Sequence, residues 1–170
     1  MRKSLVVLIT VLSAGVAMAD TASVEDPVGD SGTSLDIVEV SHSHRGNLLR
    51  HDVTMAEVWT NEEFRSISAR IWLPDGDPAE DRNLYIGLNE DGSFRGNLYG
   101  RRLRGFANVY RVDDRTIRFE LSPKLLSDVP IERYSYRVAA MGSFECPPDV
   151  VCAPPPPDLA PDRGRIRHKL

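Results

Sequence analysis

The chain lacks the motifs and segments that mark most enzymes and membrane proteins. It has no GxSxG elbow, no HExxH motif and no glycine-rich phosphate loop. No apolar run reaches the roughly 18 residues that a membrane-spanning helix needs, so we expect no membrane span. Adjacent acids such as Glu62 and Glu63 are usually solvated in turns, and no set of polar residues converges on a mechanism. The sequence therefore favours a noncatalytic protein, with a small hydrolase as the minor alternative.

Lysine is also scarce, with residues only at positions 3, 124 and 169, so arginine supplies nearly all of the positive charge. Acidic side chains outnumber basic ones by 25 to 21, which gives a formal net charge of −4 at pH 7. Nonspecific nucleic-acid binding depends on basic side chains that neutralise phosphates. We therefore expect no nucleic-acid partner.

Cysteine occurs only twice, at Cys146 and Cys152 in the segment CPPDVVC. In an oxidising compartment a pair at this spacing predicts a disulfide, which stabilises such a small loop by about 2 kcal/mol. The alternative is a two-thiolate metal site, but the sequence offers no second ligand pair at a suitable spacing.

The first nineteen residues are typical of a secretory signal peptide. Arg2 and Lys3 precede the apolar run 5–12, and the small residues at 17–19 provide a cleavage site. We therefore expect a secreted, extracellular protein.

The remaining residues, about 150, suit one domain. We expect an extended acidic lead-in at 20–34, a β domain at 35–145 and a proline-rich tail at 146–170 that carries the short disulfide loop. Proline cannot donate a hydrogen bond inside a sheet, so the tail is either a semi-rigid extension or an edge wrap.

Short segments with alternating apolar residues indicate the fold class. Ile67, Ile71 and Leu73 share one strand face, and Leu84 and Ile86 share another after an acidic turn. The expected strands are 35–43, 49–55, 64–73, 83–88, 94–101, 106–112, 116–121 and 134–140. About eight short strands without a long helical period predict an all-β, antiparallel β-sandwich of jelly-roll type.

Two acidic loops are candidate cation sites. One set is Asp75, Asp77 and Glu80 or Asp81, and the other is Asp26, Asp30 and Asp36 around two glycines. Calcium takes six to eight oxygen ligands, and these loops offer carboxylates at short spacing, although neither is an EF-hand. We predict weak calcium binding, with a dissociation constant of about 0.1–1 mM. The alternative is that these aspartates only begin turns and face solvent.

Histidines form a further cluster in the expected hairpin. His42 and His44 share one face of a strand, and His51 lies across the hairpin. Three imidazoles can bind zinc, but an exposed pair at a strand end is the alternative.

Arginine and aromatic residues indicate where a ligand would bind. Arg101 and Arg102 beside Tyr99 suit an anionic glycan or cell-wall polymer, because guanidinium groups bind anions in a bidentate way. Trp72 and Tyr85 lie opposite the apolar faces of their strands and are suited to stacking on sugars. Packing in the core or at an edge is the alternative role for each aromatic residue.

Several short runs also carry a resemblance: DPVGDSGTSLDIVEVS, DGDPAEDRNLYIGLNEDG, TIRFELSPKLL, SYRVAA and APDRGRIRH. Together they resemble small secreted bacterial β-sandwich domains similar to carbohydrate-binding modules. The resemblance implies structural calcium at acidic loops, with Asp30, Asp36, Asp75 and Asp77 as ligands. It also implies a noncatalytic domain that binds extracellular polysaccharide. A protein-interaction module or a secreted inhibitor, with a secreted protein as partner, remains the alternative function.

Overall fold

The computed structural model describes residues 21–74, 80–100, 104–144, 146 and 152–170. The expected signal peptide, Asp75 and Asp77 of the acidic turn, and Arg101 and Arg102 lie outside these residues. The described strands are β1 (Ala22–Glu25), β2 (Ile37–Arg45), β3 (Leu48–Met55), β4 (Phe64–Trp72), β5 (Arg82–Leu88), β6 (Phe94–Tyr99), β7 (Arg104–Arg111), β8 (Thr116–Leu121), β9 (Arg133–Gly142), β10 (Asp158–Ala160) and β11 (Ile166–Lys169). A single turn of 3-10 helix covers Pro123–Leu125. Within the described ranges, no helix is long and apolar enough to cross a membrane.

Two meanders build the sheet. Strands β1 to β3 pair in sequence, strands β4 to β8 pair in sequence, and β3 joins the two groups by pairing with β8. Strand β9 lies beside β4, and both β10 and β11 pair with β9. The described strand pairs are all antiparallel, which confirms the predicted all-β antiparallel class.

The two ends of this path approach each other. A carboxylate oxygen of Asp158 on β10 accepts a hydrogen bond from the backbone N–H of Ile37 on β2, at 2.5 Å. Strand β7 turns the sheet, because residues 104–107 pair with β6 and residues 108–111 pair with β8. The described chain therefore forms eleven strands in one nearly closed sheet, rather than the expected eight-stranded jelly-roll sandwich.

Alternation along each strand places one set of side chains inside this sheet. On β3, Leu49, His51, Val53 and Met55 are buried, while the residues between them are partly exposed. On β9, every second residue from Tyr134 to Gly142 is buried. Because successive side chains of a strand point to opposite faces, this period-two pattern produces one apolar interior and one solvated exterior.

The C-terminal segment wraps along the edge of β9. Strand β10 pairs with residues 138–140 and β11 pairs with residues 133–136 of the same strand. The Arg137 side chain donates hydrogen bonds to the carbonyl oxygens of Pro161 and Asp162, in the turn between the two short strands. Of the two arrangements considered for this segment, the structure thus has the edge wrap.

Cys146 and Cys152 form the predicted disulfide, with their Cα atoms 5.9 Å apart.

Candidate functional site

Acidic residues are unevenly distributed over the strands of the sheet. Strands β4, β5, β6, β7, β9 and β11 contain no aspartate or glutamate, but each contains arginine. Strands β1, β2, β3, β8 and β10 each contain one acidic residue. A protein with a net charge of −4 therefore has one large surface whose strands supply only positive charge. We term this surface the basic face; its exposed basic residues are Arg65, Arg70, Arg95, Arg104, Arg133, Arg165, Arg167 and Lys169.

Three exposed aromatic side chains lie on the basic face. Tyr85 is 45% exposed, Tyr99 is 47% exposed and Phe106 is 77% exposed. Tyr85 pairs with Asn97, and Asn97 pairs with Phe106, so Tyr85 and Phe106 lie in one row across β5, β6 and β7 with Asn97 between them. Tyr99 lies beside this row, two residues from Asn97 on β6. Neighbouring strands are 4.7–4.9 Å apart, so this row places Tyr85 and Phe106 about 10 Å apart. Tyr85 therefore lies on the exposed surface, as the alternation predicts, and Tyr99 and Phe106 extend the same platform.

Trp72 lies farther along the same face, between two guanidinium groups. The Cζ atom of Arg165 is 4.0 Å from the ring centroid of Trp72, and that of Arg70 is 5.2 Å away. These are cation–π contacts. They hold the indole ring against the sheet, so Trp72 is half-buried and shares the outer side with Tyr85, as its position in the alternation predicts.

A cavity of about 380 Å³ opens beside Trp72. Arg133, Arg165, Arg167 and Ser135 contribute its polar side chains. Three guanidinium groups around one opening suit a carboxylate, sulfate or phosphate, because each is able to donate two parallel hydrogen bonds to such a group. These arginines were not among the predicted ligand residues, because their common location depends on the pairing of β11 and β9.

Asp81 and Asp36 are two predicted cation ligands that the structure describes, and each has a different partner. Asp81 is buried and forms an ion pair with Arg70, with 3.0 Å between Nη2 of Arg70 and Oδ2 of Asp81. The carboxylate of Asp36 accepts hydrogen bonds from the backbone N–H groups of Gly29, at 2.7 Å, and Ser31, at 3.3 Å. Gly29 has a φ of +87°, a left-handed conformation that favours glycine. Asp36 therefore fixes the turn that carries Asp30.

Asp30 meets two other carboxylates. One oxygen atom from each of Asp26, Asp30 and Asp158 lies within 4.8 Å of the others. Asp26 and Asp30 come from the lead-in, and Asp158 comes from β10. Asp158 belongs to the proline-rich segment, and the sequence contains no signal that brings it to the lead-in.

This acidic cluster carries negative charge that no described cation offsets. Burial raises the pKa of Asp26 to about 6, and the charges of Asp158, Asp162 and Asp30 add to the effect. Burial also raises the pKa of Asp158, with a further contribution from Asp30. Among the described residues, no ion pair involves the three carboxylates of the cluster or that of the neighbouring Asp162.

All four histidines of the chain meet on the inner side of β2, β3 and β11: His42, His44, His51 and His168. His42 lies opposite His51 in the register of β2 and β3, which is the cross-strand arrangement expected from the hairpin. The hydroxyl of Tyr134 lies 2.6 Å from Nε2 of His51 and 2.5 Å from Nδ1 of His168.

The histidine cluster is part of the core rather than a three-imidazole metal centre. His42, His51 and His168 are buried. Nδ1 of His42 lies 3.1 Å from the hydroxyl of Tyr136. In the part of the chain that the structure describes, the three-donor group with metal-ligand spacing is the aspartate cluster and not a histidine set. Burial lowers the pKa of His51 well below its usual value, and the charges of the neighbouring histidines lower it further.

Comparisons of the chain with protein-family models, with curated proteins and with solved structures found no match. Conclusions about function therefore depend on the residues of this chain.

Proposed function

We propose that the protein is a secreted, noncatalytic binding protein whose basic face holds an anionic extracellular polysaccharide. One observation carries the proposal: six strands of an acidic protein supply only positive charge, and exposed aromatic rings lie among their arginines. Electrostatic complementarity guides a ligand of opposite charge to such a face.

The aromatic row supports a polymer of sugars as the ligand. Flat rings offer apolar surface for the faces of sugar rings, and they lose little conformational freedom on binding. The distance of about 10 Å between Tyr85 and Phe106 is on the order of the length of a disaccharide. A chain that lies across β5, β6 and β7 therefore meets the rings of Tyr85 and Phe106, while neighbouring arginines bind its acidic groups.

The cavity beside Trp72 supports the anionic character of the ligand. Arg133, Arg165 and Arg167 surround the opening, and Ser135 adds a hydroxyl group. A sugar acid or a sulfated sugar presents the planar or tetrahedral anion that guanidinium groups bind best. We infer that this cavity holds one acidic group of the polymer.

A protein partner is the second candidate, and one observation favours it. Phe106 is 77% exposed, and exposed aromatic residues are enriched at protein interfaces. Arginine is itself enriched at protein interfaces, so its presence does not separate the two candidates. The single sign of charge along six strands favours the polysaccharide, because an acidic polymer repeats its negative charge along its length.

The proposal is tested by comparing binding to polygalacturonate with binding to neutral dextran of similar length. Affinity electrophoresis is expected to retard the protein in the first polymer and not in the second. Arg167→Ala should weaken the retardation, whereas Arg45→Ala should not, because Arg45 is an exposed arginine on β2, outside the basic face.

Three results would contradict the proposal. Equal retardation in dextran would remove the requirement for charge, and equal affinity for double-stranded DNA would indicate nonspecific binding of anions. Selective capture of a secreted protein, with no retardation in any acidic polysaccharide, would favour the second candidate.

A further inference from the structure

We propose that Asp26, Asp30 and Asp158 form a binding site for a divalent cation of calcium size, at the point where the two ends of the sheet meet. The three residues each offer an oxygen atom, and these atoms lie within 4.8 Å of one another. The inference is independent of the basic face, because it concerns different residues and a different ligand.

The spacing of these oxygens fits calcium. Two oxygens that bind the same ion are separated by at most twice the ion–oxygen distance, which is about 5 Å for calcium and about 4.2 Å for magnesium. Oxygens within 4.8 Å of one another therefore need only small side-chain adjustments to bind one calcium ion. The site has carboxylate donors and no thiolate or imidazole, which favours a hard cation over zinc or copper.

Asp26 provides an independent indication of a missing ligand. The residue is only 7% exposed, and its Oδ2 atom is fully buried with no hydrogen-bond partner among the residues that the structure describes. The other oxygen, Oδ1, accepts a hydrogen bond from the backbone N–H of Asp162, at 3.3 Å. A buried carboxylate oxygen without a partner is costly, and an ion is the partner that also offsets the surrounding negative charge.

The neighbouring aspartates are placed to complete the site. Asp158 is held by two backbone N–H groups, that of Ile37 at 2.5 Å and that of Leu159 at 2.8 Å, and each of its oxygens keeps a further lone pair for an ion. Asp30 is exposed, so waters are able to fill the remaining coordination positions from the solvent side.

A cation at this position has a structural consequence. Asp26 follows β1 and lies on the lead-in, whereas Asp158 begins β10 at the other end of the chain. One ion would therefore link the N-terminal and C-terminal segments across the opening of the sheet. Its removal should loosen these two segments more than the central strands.

The test compares thermal melting of the full protein after EDTA treatment with melting after addition of about 5 mM CaCl₂, together with isothermal titration calorimetry. A site with a dissociation constant of about 0.1 mM should raise Tm by about 5 °C. Asp30→Asn should abolish both the shift and the binding heat, and it should fold because Asp30 is exposed. Asp128→Asn is the matched control, an exposed aspartate outside the cluster, and should respond as the wild type does.

Several outcomes would overturn the proposal. One is a wild-type protein that shows neither a Tm shift nor a binding heat with calcium. Another is an Asp30→Asn variant that responds as strongly as the wild type. An equal shift with MgCl₂ would contradict a site of calcium size. A fourth contradiction would be an Asp26→Asn variant that melts at a higher temperature than the wild type in EDTA, combined with no response of the wild type to calcium. The carboxylates would then share a proton and bind no cation.

Discussion

Arg165 stacks on Trp72, with its Cζ atom 4.0 Å from the centroid of the indole ring. The two residues belong to segments far apart in sequence, since Trp72 ends β4 and Arg165 precedes β11. This contact joins the C-terminal segment to the strands of the basic face. The cavity proposed to hold an acidic group therefore exists only when the C-terminal segment lies along β9.

The first prediction concerns this pair. Arg165→Ala should lower the free energy of unfolding by about 0.5–1 kcal/mol through loss of the cation–π contact. It should also weaken binding of polygalacturonate. Arg163→Ala, an exposed arginine in the same turn, is the matched control and should change stability by less than about 0.5 kcal/mol. Urea unfolding measures the stability of both variants. The same measurement on Trp72→Ala, with and without Arg165→Ala, gives the coupling energy between Trp72 and Arg165. A coupling energy of zero would rule out the contact.

The second prediction concerns Gly142, at the end of β9. A Cβ atom on this residue would lie 2.8 Å from the backbone nitrogens of Ser34 and Leu35, where the lead-in packs against the sheet. Backbone cannot move aside as a flexible side chain does, so Gly142→Ala should cost about 1–3 kcal/mol of stability. Gly87→Ala is the control, because its Cβ would meet only the ring of Tyr85, at 3.3 Å. Equal Tm values for the two variants would show that the lead-in does not pack as described.

The third prediction concerns acid sensitivity. Burial holds the pKa of His51 well below its usual value, so the unfolded chain binds more protons than the native protein below about pH 6.5. The stabilising contribution of neutral His51 is complete above that pH and is lost as the pH falls. One such residue lowers the free energy of unfolding by about 1.4 kcal/mol per pH unit.

The titratable groups that face His51 are His42, His44, His168, Tyr134 and Tyr136. Urea unfolding at pH 7.5, 6.5 and 5.5 measures the effect, and His51→Gln removes the titrating group while keeping a polar side chain. The difference between wild type and His51→Gln isolates this residue from others that titrate in the same range, such as Asp26. A difference that does not change with pH would contradict the prediction.

Much of the sheet was predictable because its strands alternate. Each of the eight expected strands coincides with one of β2 to β9, since a half-buried strand needs an apolar residue at every second position. The three short strands β1, β10 and β11 were not predicted. They have three or four residues each, which is too few for a period-two pattern, and β10 follows a run of prolines.

The sites were less predictable than the strands, because they depend on which strands become neighbours. The alternation placed Trp72 and Tyr85 outward, and the hairpin placed His42 opposite His51. The pairing of β10 with β9 brings Asp158 to the acidic cluster. The pairing of β11 with β9 brings Arg167 to the basic face and His168 to the histidine cluster. No local pattern encodes that pairing.

The last prediction separates a ligand-binding role for the exposed aromatic residues from a packing role. Tyr85→Ala and Tyr99→Ala should leave the free energy of unfolding within about 0.5 kcal/mol of wild type, because each ring is nearly half exposed on the outer side of the sheet. The same variants should weaken polygalacturonate binding, since each removes part of the platform. Phe119→Ala, a fully buried ring on β8, serves as the contrast and should cost about 3–5 kcal/mol. Chemical unfolding and affinity electrophoresis on the same samples give both readouts. If Tyr85→Ala destabilised the protein by several kcal/mol and left binding unchanged, the tyrosine would be a packing residue and the platform would not bind the polymer.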